Sequence, residues 1–179
     1  MFSDRVELGK GYYLTHTPGM EDLDALVENL NDIEIYNGTL KVPFPYTRAN
    51  AVAYVSGCLE QNEKFGVPMK WQVRTQAGRL AGSISLHSQY GKGSHKDEIG
   101  YWMGKAHRNQ GIMTQTIKAF SALVFEYYGL VRLEATIFDY NISSQKVVEK
   151  CGFIYEGTLK KAYFKDGKYI DGKLYSLLK

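Results

Sequence analysis

The sequence predicts an α/β (α+β) fold, one twisted sheet flanked by helices, and three observations lead there. Stretches in which apolar residues alternate with period two are interspersed with stretches in which they recur every three to four residues. Two pairs of alternating runs are joined by short turns, at Ala77-Gly78-Arg79 and at Asp166-Gly167, which is the mark of β-hairpins. One strand-like run, Glu98 to Met103, leads through a polar turn containing Gly111 straight into a long helical pattern. No internal repeat, low-complexity tract or interdomain linker breaks the chain, so residues 1–179 are expected to form one domain. A chain of that length buries a full core without disulfide or metal staples.

The elements follow in order. Residues 4–17 read as a strand or hairpin broken at Gly9 and Gly11. From Met20, the spacing of Leu23, Leu26, Val27 and Leu30 marks one helix face. Tyr36-Asn37-Gly38 through Pro43-Phe44-Pro45-Tyr46 ends that helix and reads as a loop. Thr47 caps a second helix with Val52, Val55, Cys58 and Leu59 along one side. Trp71 to Thr75 and Leu80 to His87 form the first hairpin, and Gly91 to Lys96 is a polar loop. The long helix runs through Met113, Ile117, Phe120, Val124 and Tyr128 to a stop at Gly129. Leu130 to Phe138 is a strand, Ser143 or Ser144 starts a short helix ended by Gly152, and two strands close the chain.

Composition removes several function classes. With 22 Lys+Arg against 19 Asp+Glu, the net charge of +3 is spread along the chain and offers no basic stripe for nucleic acid. The N-terminal MFSDRVELGKGYY lacks the apolar run of a secretory signal, and no stretch approaches the ~20 apolar residues of a membrane span. Cys58 and Cys151 stand far apart without a C-x-x-C partner, and His16, His87, His95 and His107 show no metal-ligand spacing. A reduced, cytoplasmic protein without a metal is expected, its cysteines serving as small buried hydrophobes.

The chemistry concentrates in Glu98 to Thr116, EIGYWMGKAHRNQGIMTQT. At a strand-to-helix turn the first helical N–H groups lack partners and point outward, and the helix dipole adds positive character. Such an end binds a phosphate, and Gly111 allows its close approach because no side chain intervenes. Lys105, His107 and Arg108 stand beside the turn and can add charge. Neither G-x-x-x-x-G-K-[ST] nor G-x-G-x-x-G is present there, which excludes the P-loop and the Rossmann fingerprint.

Arg108-x-x-Gly111-x-Met113 resembles the acetyl-CoA pyrophosphate loop of the GNAT N-acetyltransferase superfamily, Q/R-x-x-G-x-G/A. Asn141-x-x-Ser144, followed by Cys151-Gly152-Phe153 and Glu156-Gly157, is similar to the N-x-x-S…GF…EG run of the branch that acetylates N-terminal alanines of ribosomal proteins. The resemblance covers roughly residues 70 to 179. It implies a mixed, mostly antiparallel sheet, splayed after Met103 to admit acetyl-CoA as co-substrate. Trp102 and Met103 would offer backbone groups to the pantetheine arm. Backbone N–H groups of Arg108, Asn109, Gln110, Gly111, Ile112, Met113 and Thr114 would hold the pyrophosphate. Asn141 would bond the pantetheine or thioester region, and Ser144 would sit near the sulfur. Met113 replaces the general family's small residue, as it does in this branch.

The resemblance also implies catalytic roles. Glu98 lies where several GNAT enzymes keep a glutamate that deprotonates the amine; otherwise it is a solvated carboxylate at a strand edge. The tyrosine that many members place seven residues after the motif asparagine is Val148 here. Ser144 is the substitute donor to the thiolate, or else a helix N-cap, and one of the other tyrosines, Tyr163 for example, can replace either the base or the acid. Tyr36, Asn37, Phe44 and Tyr46 can form a wall of the acceptor groove or simply pack. The expected reaction moves acetyl from CoA to a primary amine, foremost a protein N-terminus, in a monomer or homodimer with no nucleic-acid or membrane partner. The alternatives are acetylation of a polyamine, amino acid or aminoglycoside-like amine, or a CoA-binding sensor without catalysis.

Overall fold

The computed structural model describes residues 5–87 and 93–179; Gly91 and Lys92 of the expected polar loop lie outside them. The first two strands, β1 (Arg5–Gly9) and β2 (Tyr12–His16), form a hairpin, and α1 (Leu23–Leu30) follows a 3-10 turn at Met20–Asp22. Then come α2 (Ile33–Gly38), α3 (Arg48–Phe65), β3 (Lys70–Thr75), β4 (Leu80–Leu86) and β5 (Lys96–Met103). The chain continues with α4 (Ile112–Tyr127), β6 (Arg132–Phe138), α5 (Ile142–Lys150), β7 (Ile154–Lys165) and β8 (Lys168–Leu178).

Most of these elements stand where local chemistry puts them. The Thr47 hydroxyl caps α3 by accepting the Asn50 N–H at 3.3 Å. Asp166 and Gly167, with φ of 50° and 74°, form the turn between β7 and β8. Helix α2 is a departure from the expected loop. Asp32 accepts the Glu34 N–H at 2.8 Å and starts a helical turn before Tyr36-Asn37-Gly38 ends it. On α3 the buried side consists of Ala51, Val55 and Cys58, while Val52 and Leu59 face outward. The apolar stripe is thus rotated from the expected one because Ala51, too small to register as a hydrophobic anchor, takes the tightest place. Cys151 is only half-buried.

The strands form one eight-stranded sheet in the order β1-β2-β3-β4-β5-β6-β8-β7. Neighbours are antiparallel except β5 and β6, which are parallel. Adjacent residues on β5 face different cores: Tyr101 packs against the cluster that includes Trp71, Ile84, Ile117 and Val148, and Trp102 against that of α1 and α3. Leu26, Leu30, Ala51 and Val55 fill the second cluster.

The central feature is where β5 and β6 part. Their pairing is confined to Lys96, Asp97 and Glu98 against Arg132, Leu133 and Glu134. The sheet therefore splays after Glu98, not after Met103, while β5 stays paired to β4 along its whole outer half. The physical reason is a side chain inserted in the ladder: Glu98 Oε1 accepts the Thr136 N–H at 3.1 Å. A carboxylate there takes the donor that the next rung would use, and the strands diverge around it.

The start of α1 is fixed to the sheet by a two-pronged ion pair. Arg74 Nη1 and Nη2 each donate to an Asp22 carboxylate oxygen at 2.7 Å, and the side chains are only 11% and 4% exposed. Arg74 Nε also donates to Thr15 Oγ1 at 2.9 Å, and Asp22 accepts the Gly19 N–H at 3.0 Å. Asp22→Ala leaves a buried guanidinium without its counter-charge, so we expect a loss of about 3 kcal/mol in unfolding free energy. Urea denaturation checks this; a loss under about 1 kcal/mol would show the pair to be energetically idle.

Candidate active site

The turn between β5 and α4 is shaped by two left-handed residues, Asn109 (φ 60°) and Gly111 (φ 76°), with Gly111 at the N-cap of α4. Asparagine and glycine are the residues that accept this conformation most readily. The first bond of α4 runs from Gln115 N to the Gly111 carbonyl at 3.2 Å. The N–H groups of Ile112, Met113 and Thr114 precede it and point out of the helix end. A Cβ built on Gly111 would meet only Lys10 Nζ, at 3.8 Å, so the glycine leaves open space in front of these donors.

The charge around this end is not distributed as the sequence implies. The Arg108 guanidinium faces away from it, donating to Asp32 at 2.7 Å, to Glu34 at 2.5 Å and to the Met103 carbonyl at 2.9 Å. Its backbone N–H is directed at the Lys105 carbonyl, 3.4 Å away, which removes it from the expected set of anion donors. Arg108 thus ties the turn to α2. His107 bonds Tyr12 through Nδ1 at 2.9 Å, and burial, with Arg79 nearby, holds its pKa below the ordinary histidine value. A cation that does stand at the turn is Lys10, from the tip of the β1–β2 hairpin, whose Nζ donates to the Gln110 carbonyl at 2.7 Å. Gln110 turns its own side chain back to the Ala106 carbonyl, 3.1 Å away.

From this end a cleft of about 390 Å³ runs along Tyr101 to Met103 of β5 toward the start of α5. Its volume falls in the range of small-molecule sites. Trp102, Met103, Arg108, Asn109, Gly111, Ile112, Met113, Thr114, Asn141 and Ser144 line it, whereas Gln110 and Glu98 do not. Glu98 is no solvated edge carboxylate. It is 6% exposed and lies at the fork where the strands part.

Strand alternation corrects one expected role. His87 N bonds the Glu98 carbonyl and Gly104 N bonds the Ala81 carbonyl, each at 2.8 Å. With Ser83 opposite Trp102 and Ser85 opposite Gly100, the backbone groups of Trp102 therefore point at β4. The groups that face the gap belong to Ile99, Tyr101 and Met103, and the Met103 carbonyl already accepts from Arg108.

The far wall is built by α5. Asn141 Oδ1 caps this helix, accepting the Ser144 N–H at 3.1 Å and the Ser143 hydroxyl at 3.0 Å. The Asn141 Nδ2 faces Gly38 so closely that a Cβ there would stand 2.9 Å from it. Ser144 is therefore not the N-cap, and its hydroxyl lies 2.6 Å from the Tyr101 hydroxyl instead. Val148 is fully buried in the core and presents nothing to the cleft. Tyr163 packs edge-on against Phe138, ring centroids 5.0 Å apart.

The wall opposite comes from α2, through Glu34, Ile35, Gly38 and Thr39. Of the aromatics weighed for it, Tyr46 is a core residue and Phe44 leans on Tyr36. Tyr36 donates to Asp166 Oδ1 at 2.6 Å, and Lys165 Nζ donates to the Thr39 carbonyl at 2.6 Å, binding α2 to the β7–β8 hairpin tip. Among the described residues no group of three or more His, Cys, Asp or Glu can hold a metal ion, and no helix is long and apolar enough to cross a membrane.

The site suits a long ligand with a phosphate-bearing end. Free N–H donors and a lysine meet its anion, an unpaired strand edge can run beside its chain, and hydroxyl and amide groups surround its far end. Tyr101 and Lys10 have no local sequence signal as parts of it, although Gly9-Lys10-Gly11 does stand out as a break; the segment of α2 is foreseen as a wall through Tyr36 and Asn37, while the residues that line the cleft are Glu34, Ile35 and Gly38.

Residues 15–154 match the acetyltransferase (GNAT) domain model. The putative ribosomal N-acetyltransferase YdaF of Bacillus subtilis (strain 168) is 35% identical over 102 residues, 57% of this chain and 55% of that protein. The probable N-acetyltransferase YjcK of the same strain is 33% identical over 100 residues, 56% of this chain and 55% of that one. The chain thus spans about half the length of these two curated relatives. In structure it is similar to RimL, a ribosomal L7/L12 α-N-protein acetyltransferase solved in complex with coenzyme A, with a TM-score of 0.83 at 19% identity. That superposition covers 97% of each chain and is a likeness of fold.

Proposed function

Because the chain belongs to the GNAT acetyltransferase family, we propose that it is an acetyl-CoA-dependent N-acetyltransferase acting in the cytoplasm on primary amines, foremost the α-amine of a protein N-terminus. The observation that carries this reading is the conjunction of two features in one cleft: the unpartnered N–H groups at Ile112–Thr114, and the β5 edge at Tyr101 to Met103, which β6 leaves unpaired beyond Glu98.

The residues divide the work by position. The N–H groups from Asn109 to Thr114, with Lys10 beside them, bind the pyrophosphate. Tyr101 offers both backbone groups, and Met103 its N–H, to the pantetheine arm as an added strand would. Asn141 Nδ2 donates to the pantetheine or thioester region. Acetyl-CoA, when bound, supplies an activated acyl thioester. Glu98, at the fork, accepts the amine's proton through one water, and Ser144 donates a hydrogen bond to the departing sulfur. An α-amine, with a pKa near ~8, needs only this mild help, whereas a lysine amine near ~10.4 needs more. The name of RimL, a ribosomal L7/L12 α-N-protein acetyltransferase, supports the same acceptor class, and that of YdaF, a putative ribosomal N-acetyltransferase, supports a ribosomal acceptor.

An acceptor panel tests the reading. Acetyl-CoA turnover is measured with peptides bearing free or blocked N-termini, with lysine side chains, and with polyamines and amino acids. Free N-termini should give the highest kcat/KM. A small amine that exceeds them by about tenfold would replace the acceptor. Tight acetyl-CoA binding with no transfer to any amine would make the protein a sensor.

A further inference from the structure

We propose that Tyr101 is the positioning residue for Ser144, holding the serine hydroxyl so that its hydrogen is aimed at the sulfur of the departing thiolate. The proposal rests on the reading of the cleft as an acetyl-CoA site. Tyr101 on β5 and Ser144 on α5 lie 43 residues apart in sequence and meet across the cleft, with hydroxyl oxygens 2.6 Å apart. The Tyr101 hydroxyl also reaches the Ser144 carbonyl at 3.2 Å.

Two hydroxyls bring two hydrogens, and the 2.6 Å contact can use only one of them. In one arrangement Tyr101 donates to the Ser144 carbonyl and Ser144 donates to Tyr101, so neither hydrogen reaches a ligand. In the other, Tyr101 donates across the short contact to Ser144 Oγ, and the serine hydrogen is free to point into the cleft. Negative charge growing on a sulfur in the cleft favours the second arrangement. Tyr101 exchanges its 3.2 Å bond for the 2.6 Å one, and no charge moves through the protein.

The same inventory fixes what Ser144 does. An aliphatic hydroxyl is a far weaker acid than a thiol, so transfer of the Ser144 proton to the thiolate is uphill. Ser144 therefore gives a hydrogen bond and keeps its proton. The amine's proton passes through water to Glu98 and the released thiolate takes its proton from solvent, so the exchange balances without a proton from Ser144. Without the phenol, the serine hydroxyl loses the contact that orients it and is left to rotate. The Ser144 backbone is already held by the Asn141 cap, so Tyr101 has only the hydroxyl rotor left to set.

The test reads the thiol itself. Coenzyme A is bound to wild type, Tyr101→Phe, Ser144→Ala, the double variant and Ser144→Thr, and its thiolate is titrated by ultraviolet absorbance. In wild type the bound thiol should titrate about one unit below free coenzyme A, a tenfold preference for the thiolate. Tyr101→Phe, Ser144→Ala and the double variant should lose that shift to the same extent, while Ser144→Thr keeps it. Thermal unfolding followed by circular dichroism should show one cooperative transition in all five proteins, which shows that they fold. A shift lost in Ser144→Ala but intact in Tyr101→Phe overturns the proposal, as does a thiol that wild type leaves unshifted. No binding of coenzyme A by wild type would overturn the reading of the site itself.

Discussion

Gly111→Glu abolishes acetyl-CoA binding if the end of α4 is the pyrophosphate site. Gly111 sits at φ 76°, where side chains other than asparagine and aspartate are strained by roughly 1–2 kcal/mol. Strain alone does not account for the expected loss, because the space in front of the residue is open as far as Lys10 Nζ at 3.8 Å. A glutamate fills that space with a carboxylate, which pairs with Lys10 and accepts from the same N–H groups that a phosphate needs. The expected loss is at least about a hundredfold in affinity, or roughly 2.7 kcal/mol. Gly111→Asn separates the two causes: asparagine tolerates the left-handed backbone and brings no charge, so about threefold weaker binding is expected. Calorimetry on both variants checks the pair. Wild-type affinity in Gly111→Glu would remove the helix end from the binding site.

Glu98→Gln lowers kcat/KM by about a hundredfold, the usual contribution of a general base. The substitution is chosen because an amide oxygen can still accept the Thr136 N–H that the carboxylate now holds at 3.1 Å. The fork between β5 and β6 is thereby kept, and only the capacity to take a proton is lost. The pH profile gives the sign. As pH rises toward the pKa of the α-amine near ~8, the acceptor becomes neutral without help, so the deficit should shrink. Full activity in Glu98→Gln would leave the residue a wedge in the ladder and nothing more.

The parts of the fold that sequence reveals are those set by local chemistry. Asp166-Gly167, Thr47 as a cap and the glycine at the start of α4 need only their immediate neighbours, and the structure shows each in that role. Helix α2 escapes because Asp32, which starts it, stands only a few residues before Tyr36-Asn37-Gly38, a turn signal that masks so short a helix. The directions of groups in the site are less visible still. Whether Trp102 or Tyr101 turns its backbone to the gap depends on pairing with β4, and a shift of one residue reverses it. Arg108 looks like a phosphate ligand until Asp32 and Glu34, distant in sequence, claim its guanidinium. Lys10 arrives from 100 residues away to stand where that charge was expected. The position of the splay is likewise a tertiary fact, fixed by one carboxylate that replaces a rung.

The most direct test is a crystal structure of the protein with coenzyme A. The pyrophosphate should lie on the N–H groups from Asn109 to Thr114 with Lys10 beside it. The pantetheine should lie along Tyr101 and Met103 in the gap that opens at Glu98, and the sulfur within hydrogen-bond reach of Ser144. Coenzyme A bound elsewhere, or with β6 closed onto β5 beyond Glu98, would contradict it.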